Sequence, residues 1–242
     1  MMRVNMIELY KFGTVGRICD PSPFCVKTET YLRMAGLPYK SHSGPKYLRS
    51  SPKDKLPYIR DEGEIISDST FILRHLEQKH NNILDGHLTA EQKAVAHGFM
   101  KMIDEELYWT MVYARWILDH NWVILRGMFF GSLPFPLKLF VPNMIRKNVE
   151  KGMKGHGIGR HSESEIEEIA AMDLQALSDF LGDKKYFFGD RVSTLDATAF
   201  GILSQMILSD TFTASTFDKA RTYKNLVDFT NRIQDKYFAD LT

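Results

Sequence analysis

The spacing of apolar residues changes once along this chain, between residues 80 and 90, and this change restricts the possible folds more than any other feature of the sequence. Before it, short apolar runs of strand length, such as Met6–Phe12, alternate with stretches whose apolar residues recur at helical spacing. After it, only the helical spacing continues. The pattern predicts an α+β domain over residues 1–80, a linker over residues 81–89 and an all-helical domain over residues 90–242.

The first domain is predicted to run strand, helix, strand, strand, strand, helix. Its first helix ends at Gly36, and Pro38 follows, a residue that cannot continue a helix. The last two strands flank the turn Asp61-Glu62-Gly63 and form a predicted hairpin. Asp68 and Ser69 then begin the second helix, because short polar side chains cap helix N-termini.

Four helices are predicted in the second domain, each recognised by apolar residues along one face. The first begins at the candidate cap Thr89, and the second ends at Gly182. The third begins at Ser193-x-x-Asp196, which has the form of a capping box with aspartate in the acidic position. No strand pattern is present after Ser67.

Charge and cysteine content narrow the function classes. The chain carries 31 Lys and Arg against 30 Asp and Glu, a formal net charge of +1, so no overall field attracts it to nucleic acid or to an acidic membrane. The N-terminal residues lack the apolar core of a signal peptide. The two cysteines, Cys19 and Cys25, are too few for a disulfide framework, which favours a reduced, cytoplasmic protein.

The most apolar stretch, Trp122–Val141, is interrupted by charged residues and prolines. Its longest apolar run is far below the roughly 20 residues that a bilayer-spanning helix needs. We therefore interpret it as buried helices or as the wall of a hydrophobic pocket, and expect no membrane span. The sequence does not predict the path of residues 121–160.

Three short motifs in the first domain combine into a candidate site. Ser22-Pro23-Phe24-Cys25 lies between a strand and a helix, where a hydroxyl sits beside the free amides and the positive dipole end of the helix. Lys55-Leu56-Pro57 places a proline directly before a strand, and Asp68-Ser69 opens a helix. Taken alone, each motif is an ordinary helix cap or an ordinary edge-strand proline.

In this order and at these separations, together with the capping box at Ser193, the motifs resemble the cytosolic glutathione transferases over essentially the whole chain. The segments Phe24–Tyr39 and Gly157–His161 are most similar to the failed-axon-connections and metaxin-like branch, which includes bacterial transferases, some of them associated with epoxide conjugation. The resemblance implies a thioredoxin-like first domain that binds glutathione, an all-helical second domain and a homodimer.

The resemblance also implies a role for each motif. Ser22 faces the glutathione sulfur, the cis-proline segment Lys55-Leu56-Pro57 pairs with the cysteinyl backbone, and Asp68-Ser69 holds the γ-glutamyl end. The implied reaction is conjugation of the glutathione thiolate to a hydrophobic electrophile. That electrophile is expected in an apolar pocket bordered by Phe12, Tyr113 and Trp116.

A hydroxyl at Ser22 suits this chemistry. A thiol with a pKa near ~8.5 is only a few per cent ionised at neutral pH, and lowering that pKa by about two units requires roughly 2.7 kcal/mol. One hydrogen bond to a charged acceptor supplies about 1.5–3 kcal/mol, and a helix N-terminus supplies about 0.3–1 kcal/mol. These two interactions are together sufficient to activate glutathione without a separate base.

Two alternatives stay open. One is a non-catalytic interaction protein with the same fold, since fold does not determine function. The other is a glutathione-dependent reductase or isomerase, because the Ser22 segment also resembles the Cys-Pro-Phe-Cys of glutaredoxins and omega-type transferases. Cys25 is then expected to be buried and inert, and Cys19 to be exposed in a loop.

His156 and His161 lack a third ligand at recognisable spacing, so we expect no metal site.

Overall fold

The structure is a computed structural model, and it describes residues 6–241. Its strands are β1 Ile7–Lys11, β2 Tyr39–Ser43, β3 Tyr58–Asp61 and β4 Glu64–Ser67. They form one sheet in the order β2-β1-β3-β4, in which β1 and β2 are parallel and the other neighbours are antiparallel. The central strands β1 and β3 are largely buried, whereas the edge strands β2 and β4 carry most of the exposed polar residues.

Two helices complete this half of the molecule: α1 spans Pro23–Met34 and α2 spans Ser69–Lys79. The order strand, helix, strand, strand, strand, helix is the predicted one, except that a short 3-10 helix, Pro45–Ser50, lies between β2 and β3. The apolar faces of both helices pack on the sheet and enclose a core formed by Ile7, Leu9, Tyr31, Leu32, Ile59, Ile72, Leu73 and Leu76. This core holds the N-terminus of α1 at one end of β1, next to the helical half.

The chain is mainly helical from Ala90 onward. A π-helical segment, Met102–Leu107, joins the first two helices of this half into one helical path, and a second, Tyr113–Ile117, extends that path beyond the second helix. Between β4 and residue 241 no further strand is present, apart from a single bridge between Tyr186 and Gly189. The helices are α3 Ala90–Lys101, α4 Tyr108–Val112, α5 Asp119–Phe130, α6 Leu137–His156, α7 Glu163–Leu181, α8 Thr194–Ile207, α9 Ser215–Thr222 and α10 Lys224–Tyr237.

The predicted helix ends are confirmed by their hydrogen bonds. The Gln92 amide donates to the Thr89 hydroxyl at 3.1 Å, and the Thr89 amide donates to Gln92 Oε1 at 2.9 Å, so α3 begins with a reciprocal capping box. Helix α7 ends at Gly182, whose φ of 53° lies in the region that favours glycine. Helix α8 begins at Ser193 with a second, fully buried capping box.

The two halves meet where α1 packs against α8. A side chain at Gly201 of α8 would place its Cβ 2.7 Å from the carbonyl oxygen of Pro23, so only glycine permits this close approach. Nearby, Lys27 Nζ of α1 lies 2.6 Å from Asp104 Oδ2 of the helical half. These contacts connect the residue after Ser22 directly to the second half of the molecule.

The apolar stretch Trp122–Val141 is only partly as predicted. Trp122 and Leu125 of α5 are buried, in agreement with the interpretation as buried helix or pocket wall. The interpretation is wrong for the connection to α6 and its start, where no other element of the described chain covers the side chains: Phe135 is 82% exposed and Phe140 is 68% exposed. Within residues 6–241 no helix combines the length and the apolarity needed to cross a bilayer.

Candidate active site

Two adjacent cavities lie where the sheet half meets the helical half. The first is a polar cleft of about 270 Å³, and the second is an apolar cavity of about 180 Å³. The Tyr108 ring borders both, and its centroid lies 4.7 Å from that of Phe24, which borders the polar cleft. The two cavities therefore share a wall at the N-terminus of α1.

The polar cleft brings together all five residues predicted to hold the peptide part of glutathione: Lys55, Leu56, Pro57, Asp68 and Ser69. The Leu56–Pro57 peptide bond is cis. Leu56 and Ser69 are each 5% exposed, whereas the charged side chains of Lys55 and Asp68 are more accessible.

Asp68 is the anionic group of this cleft. Its Oδ1 accepts a hydrogen bond from the Thr70 amide at 3.0 Å, and its Oδ2 lies 2.8 Å from Lys55 Nζ. Burial by itself raises the pKa of this carboxyl, but the hydrogen bond and charge of Lys55 outweigh it and hold the pKa below its ordinary value. Asp68 is therefore ionised at neutral pH, as the partner of an ammonium group must be.

The opposite wall of the cleft comes from the helical half and was not predicted from the sequence. It consists of Asp104, Glu105, Tyr108 and Trp109. Asp104 and Glu105 are consecutive acidic residues within a long helix, which is typical of a solvent-exposed helix face. The local sequence therefore does not predict them as site residues. Only the packing of the helical half against α1 brings them to the cleft.

Ser22 lies in the apolar cavity together with Phe12 and Trp116. It is the N-cap residue of α1, and its side chain makes no capping hydrogen bond to the helix backbone, although its hydroxyl interacts with the Cys25 side chain. Ser22 does not line the polar cleft. A thiol held in the cleft must therefore extend toward the shared wall to meet the hydroxyl.

Asp20 positions the loop that carries Ser22, and no sequence pattern singles it out beyond its place next to Pro21. Its side chain is fully buried; Oδ1 accepts from the Ser22 amide at 2.9 Å and Oδ2 accepts from the Gly13 amide at 2.8 Å. Its backbone oxygen accepts from Gln205 Nε2 at 2.9 Å, a contact across 185 positions. Burial raises the pKa of the Asp20 carboxyl to about 7 despite the two amide hydrogen bonds.

This raised pKa predicts a pH-dependent stability difference between the wild type and Asp20→Asn. Between about pH 4 and pH 7 the folded protein binds a proton at Asp20 that the unfolded chain does not, so the contribution of this group to the free energy of unfolding falls as pH rises. Asparagine does not titrate. We expect the variant to gain roughly 1–3 kcal/mol relative to the wild type across this window. Urea unfolding at pH 4.5, 6 and 7.5 measures the difference, and a constant difference contradicts it.

Both cysteines are free and buried. Cys25 is fully buried in α1 as predicted, and burial raises the pKa of its thiol well above the ordinary value, so it is not a thiolate nucleophile at neutral pH. The expectation that Cys19 is exposed is wrong: it is 2% exposed, because the loop folds inward and packs on the helical half. Burial also raises the pKa of the Cys19 thiol.

The structure places Tyr113 apart from both cavities. Its hydroxyl faces Glu163 at 3.5 Å, and its ring packs with Met153 and Ile166 on another side of the helix. Five residues separate it from Tyr108, which at 3.6 residues per turn is a rotation of about 140° away from the cavity-facing side. The pocket predicted at Phe12, Tyr113 and Trp116 therefore excludes Tyr113.

The helical wall of the apolar cavity has a regular spacing. Its residues recur at positions i, i+3, i+4, i+7 and i+8: Tyr108, Met111, Val112, Arg115 and Trp116. Arg115 is absent from the pocket predicted from the sequence, although a charged residue inside an otherwise apolar stripe is a recognisable signal.

Within residues 6–241 no three side chains of the metal-binding types are grouped as a metal ion would require.

Comparison with known sequences assigns the chain to a protein family. The glutathione S-transferase N-terminal domain family matches residues 23–122, and the glutathione S-transferase C-terminal domain family matches residues 170–233. Isoprene-epoxide–glutathione S-transferase of Rhodococcus sp. is 33% identical over 96% of this chain and 99% of that protein. Failed axon connections of Drosophila melanogaster is 37% identical over 98% of this chain, which spans 59% of that protein's length. Human Metaxin-2 is 28% identical over 88% of this chain and 81% of that protein.

Solved structures give the same fold. The β-etherase LigF of Sphingobium superposes with a TM-score of 0.65 at 16% identity, covering 98% of both chains. A glutathione S-transferase of Ceriporiopsis subvermispora, in complex with glutathione, superposes with a TM-score of 0.64 at 20% identity, covering 96% of this chain and 98% of that chain. Together with the family matches and the full-length bacterial relative, this shows that the chain belongs to the glutathione S-transferase family.

Proposed function

We propose that this protein binds glutathione in the polar cleft and transfers it to a hydrophobic electrophile held in the apolar cavity. The observation that carries the proposal is the wall that the two cavities share at Tyr108 and the N-terminus of α1. A thiol extending from the cleft and an electrophile in the apolar cavity meet at this wall, beside Ser22. Such adjacency is what a two-substrate transfer requires.

The charges on the sheet side of the cleft suit glutathione, and the two carboxylates of the helical side, Asp104 and Glu105, are paired with Lys27 and Lys101. The γ-glutamyl ammonium needs an anion, which ionised Asp68 supplies, and its carboxylate needs donors, which the Ser69 hydroxyl and the first amides of α2 supply. Lys55 Nζ, which lies 2.8 Å from Asp68 Oδ2, has further N–H donors at the rim for a second carboxylate. Leu56 and Pro57 lie between these groups, where the peptide backbone of the ligand would run.

Ser22 is proposed as the residue that stabilises the glutathione thiolate. Its hydroxyl makes no capping bond and lies at the positive dipole end of α1. Cys25 does not compete for this role, because its thiol is fully buried and its pKa is raised. A cysteine-based reductase mechanism therefore has no accessible thiolate among the residues that line the two cavities.

A second candidate function is non-catalytic binding by the same fold. One observation favours it: Ser22 borders the apolar cavity and not the polar cleft, so the hydroxyl reaches the sulfur only if the ligand extends past Phe24 and Tyr108.

The proposed homodimer rests on the family, and the proposed cytoplasmic location rests on the two free cysteines.

Glutathione binding tests the cleft independently of catalysis. We expect calorimetry to give micromolar to millimolar affinity, and Asp68→Asn to weaken it about tenfold, because a charge-assisted hydrogen bond to the ammonium is lost. Glu64→Gln removes an exposed carboxylate of the same half that does not line the cleft, and should leave affinity unchanged. Absence of binding at ~10 mM glutathione would exclude both the transferase and a glutathione-binding role for this cleft.

A further inference from the structure

Arg115 is a buried cation in the wall of the apolar cavity. Its residue is 5% exposed, and the cavity around it is formed mostly by apolar and aromatic side chains, among them Phe12, Leu125, Phe129 and Phe212. Its guanidinium carbon lies 4.8 Å from the centroid of the Phe212 ring. A charged group in such surroundings is costly unless it is paired.

No acidic side chain among residues 6–241 pairs with Arg115. Its hydrogen-bond partners are neutral oxygens: Nη1 donates to the Pro21 carbonyl at 2.9 Å, and Nη2 donates to Gln205 Oε1 at 2.7 Å. The burial lowers the pKa of the guanidinium to about 10, so the group still carries its charge at neutral pH. The other buried basic residues of this region, Lys11 and Lys27, each face a carboxylate at 2.6 Å or less.

The structural contacts of Arg115 use only some of its hydrogen-bond donors. A guanidinium has five N–H donors, and two of them are used by Pro21 and Gln205. The Nε atom is buried and has no hydrogen-bond partner in the described part of the chain. The two contacts therefore account for how Arg115 is held but not for why a cation lines this cavity.

We propose that Arg115 forms an anion subsite in the apolar cavity, and that the electrophile is an apolar molecule carrying a carboxylate. This inference rests on the proposed function for the identity of the ligand as an electrophile. A carboxylate supplies the missing negative charge, and its two oxygens match the planar donor fork of a guanidinium. The surrounding apolar side chains take the remainder of the molecule, and the anion end fixes its orientation toward Ser22.

Non-reactive probes test the subsite without catalysis. We expect 4-methyl-3-nitrobenzoate to bind the wild type about tenfold more tightly than 4-methyl-3-nitrobenzamide, as measured by calorimetry. Arg115→Met should abolish this preference, and Arg115→Lys should retain part of it because the charge is kept but the fork is lost. Arg232→Met removes a half-buried arginine that lines neither cavity and whose guanidinium donates to the Lys185 carbonyl, and should change nothing.

Turnover separates this inference from the proposed function. With glutathione and 4-chloro-3-nitrobenzoate, the thiolate forms a C–S bond and chloride leaves with the electrons of the C–Cl bond. The ratio of kcat/KM for this substrate to that for 4-chloro-3-nitrobenzamide should fall about tenfold in Arg115→Met, and intrinsic reactivity cancels in the comparison.

Failure of the anion subsite and failure of the transferase function give different results in these experiments. Arg115-dependent binding of the benzoate without turnover of either substrate leaves the anion subsite standing and overturns the transferase. Turnover of both substrates with a ratio that Arg115→Met does not change overturns the subsite alone. If Arg115→Met does not fold, the wild-type preference and the Arg115→Lys variant decide, and equal binding of the two probes by the wild type overturns the proposal.

Discussion

Replacement of Ser22 by alanine is expected to raise the pKa of bound glutathione by about one to two units and to slow conjugation at neutral pH about ten- to a hundredfold. The reason is the loss of one hydrogen bond to the thiolate, worth about 1.5–3 kcal/mol. Glutathione affinity should change little, because Asp68, Ser69 and Pro57, the residues proposed to hold the rest of the ligand, line the other cavity.

The thiolate absorbance of bound glutathione against pH measures the first effect, and turnover of a general electrophile measures the second. Two matched variants act as controls. Cys25→Ser should leave conjugation nearly intact, since the thiol is buried, and Tyr108→Phe removes the other hydroxyl-bearing side chain at the shared wall. If either control abolishes activity while Ser22→Ala does not, Ser22 is not the stabilising residue.

Ser22→Cys should create a low-pKa thiol at a helix N-terminus and shift activity toward reduction.

Removal of the Asp196 side chain is expected to lower the free energy of unfolding by about 3–5 kcal/mol. The residue is fully buried, and three donors depend on it: the Phe187 amide at 2.9 Å, the Ser193 amide at 2.7 Å and the Ser193 hydroxyl at 2.6 Å. Asp196→Ala leaves these donors buried without an acceptor. Because α8 packs on α1, the loss should also loosen the platform beneath Ser22.

The chain contains a matched control for this prediction. Helix α7 begins with a capping box of the same form, in which Glu165 accepts from Ser162 on the exposed surface. Glu165→Ala should change the midpoint of denaturation only slightly, because water replaces the lost acceptor. Urea unfolding of both variants at pH 8 gives the comparison. Equal destabilisation would show that burial does not decide the strength of a capping box in this protein.

The sequence by itself determined the order of strands and helices in the sheet half and the polar-cleft residues that come from that half. Strand and helix periods, and the caps at Thr89, Asp68 and Ser193, depend on residues only a few positions apart, so they are readable without the fold. Lys55 through Pro57 and Asp68 with Ser69 occupy the same cleft because each motif stands at the end of an element of one small sheet domain. The domain boundaries and the roles of these residues stay predictions.

Only the tertiary structure decided which side chains share a cavity. Arg115 reaches Pro21 across 94 positions and Gln205 reaches Asp20 across 185, so the placement of the Ser22 loop is determined by residues that no local pattern connects to it. The same holds for the rotation of Tyr113 away from the cavity and for the exposure of Phe135. Apolar spacing shows that a side chain avoids water, but which neighbour covers it depends on how the helices pack against the sheet half.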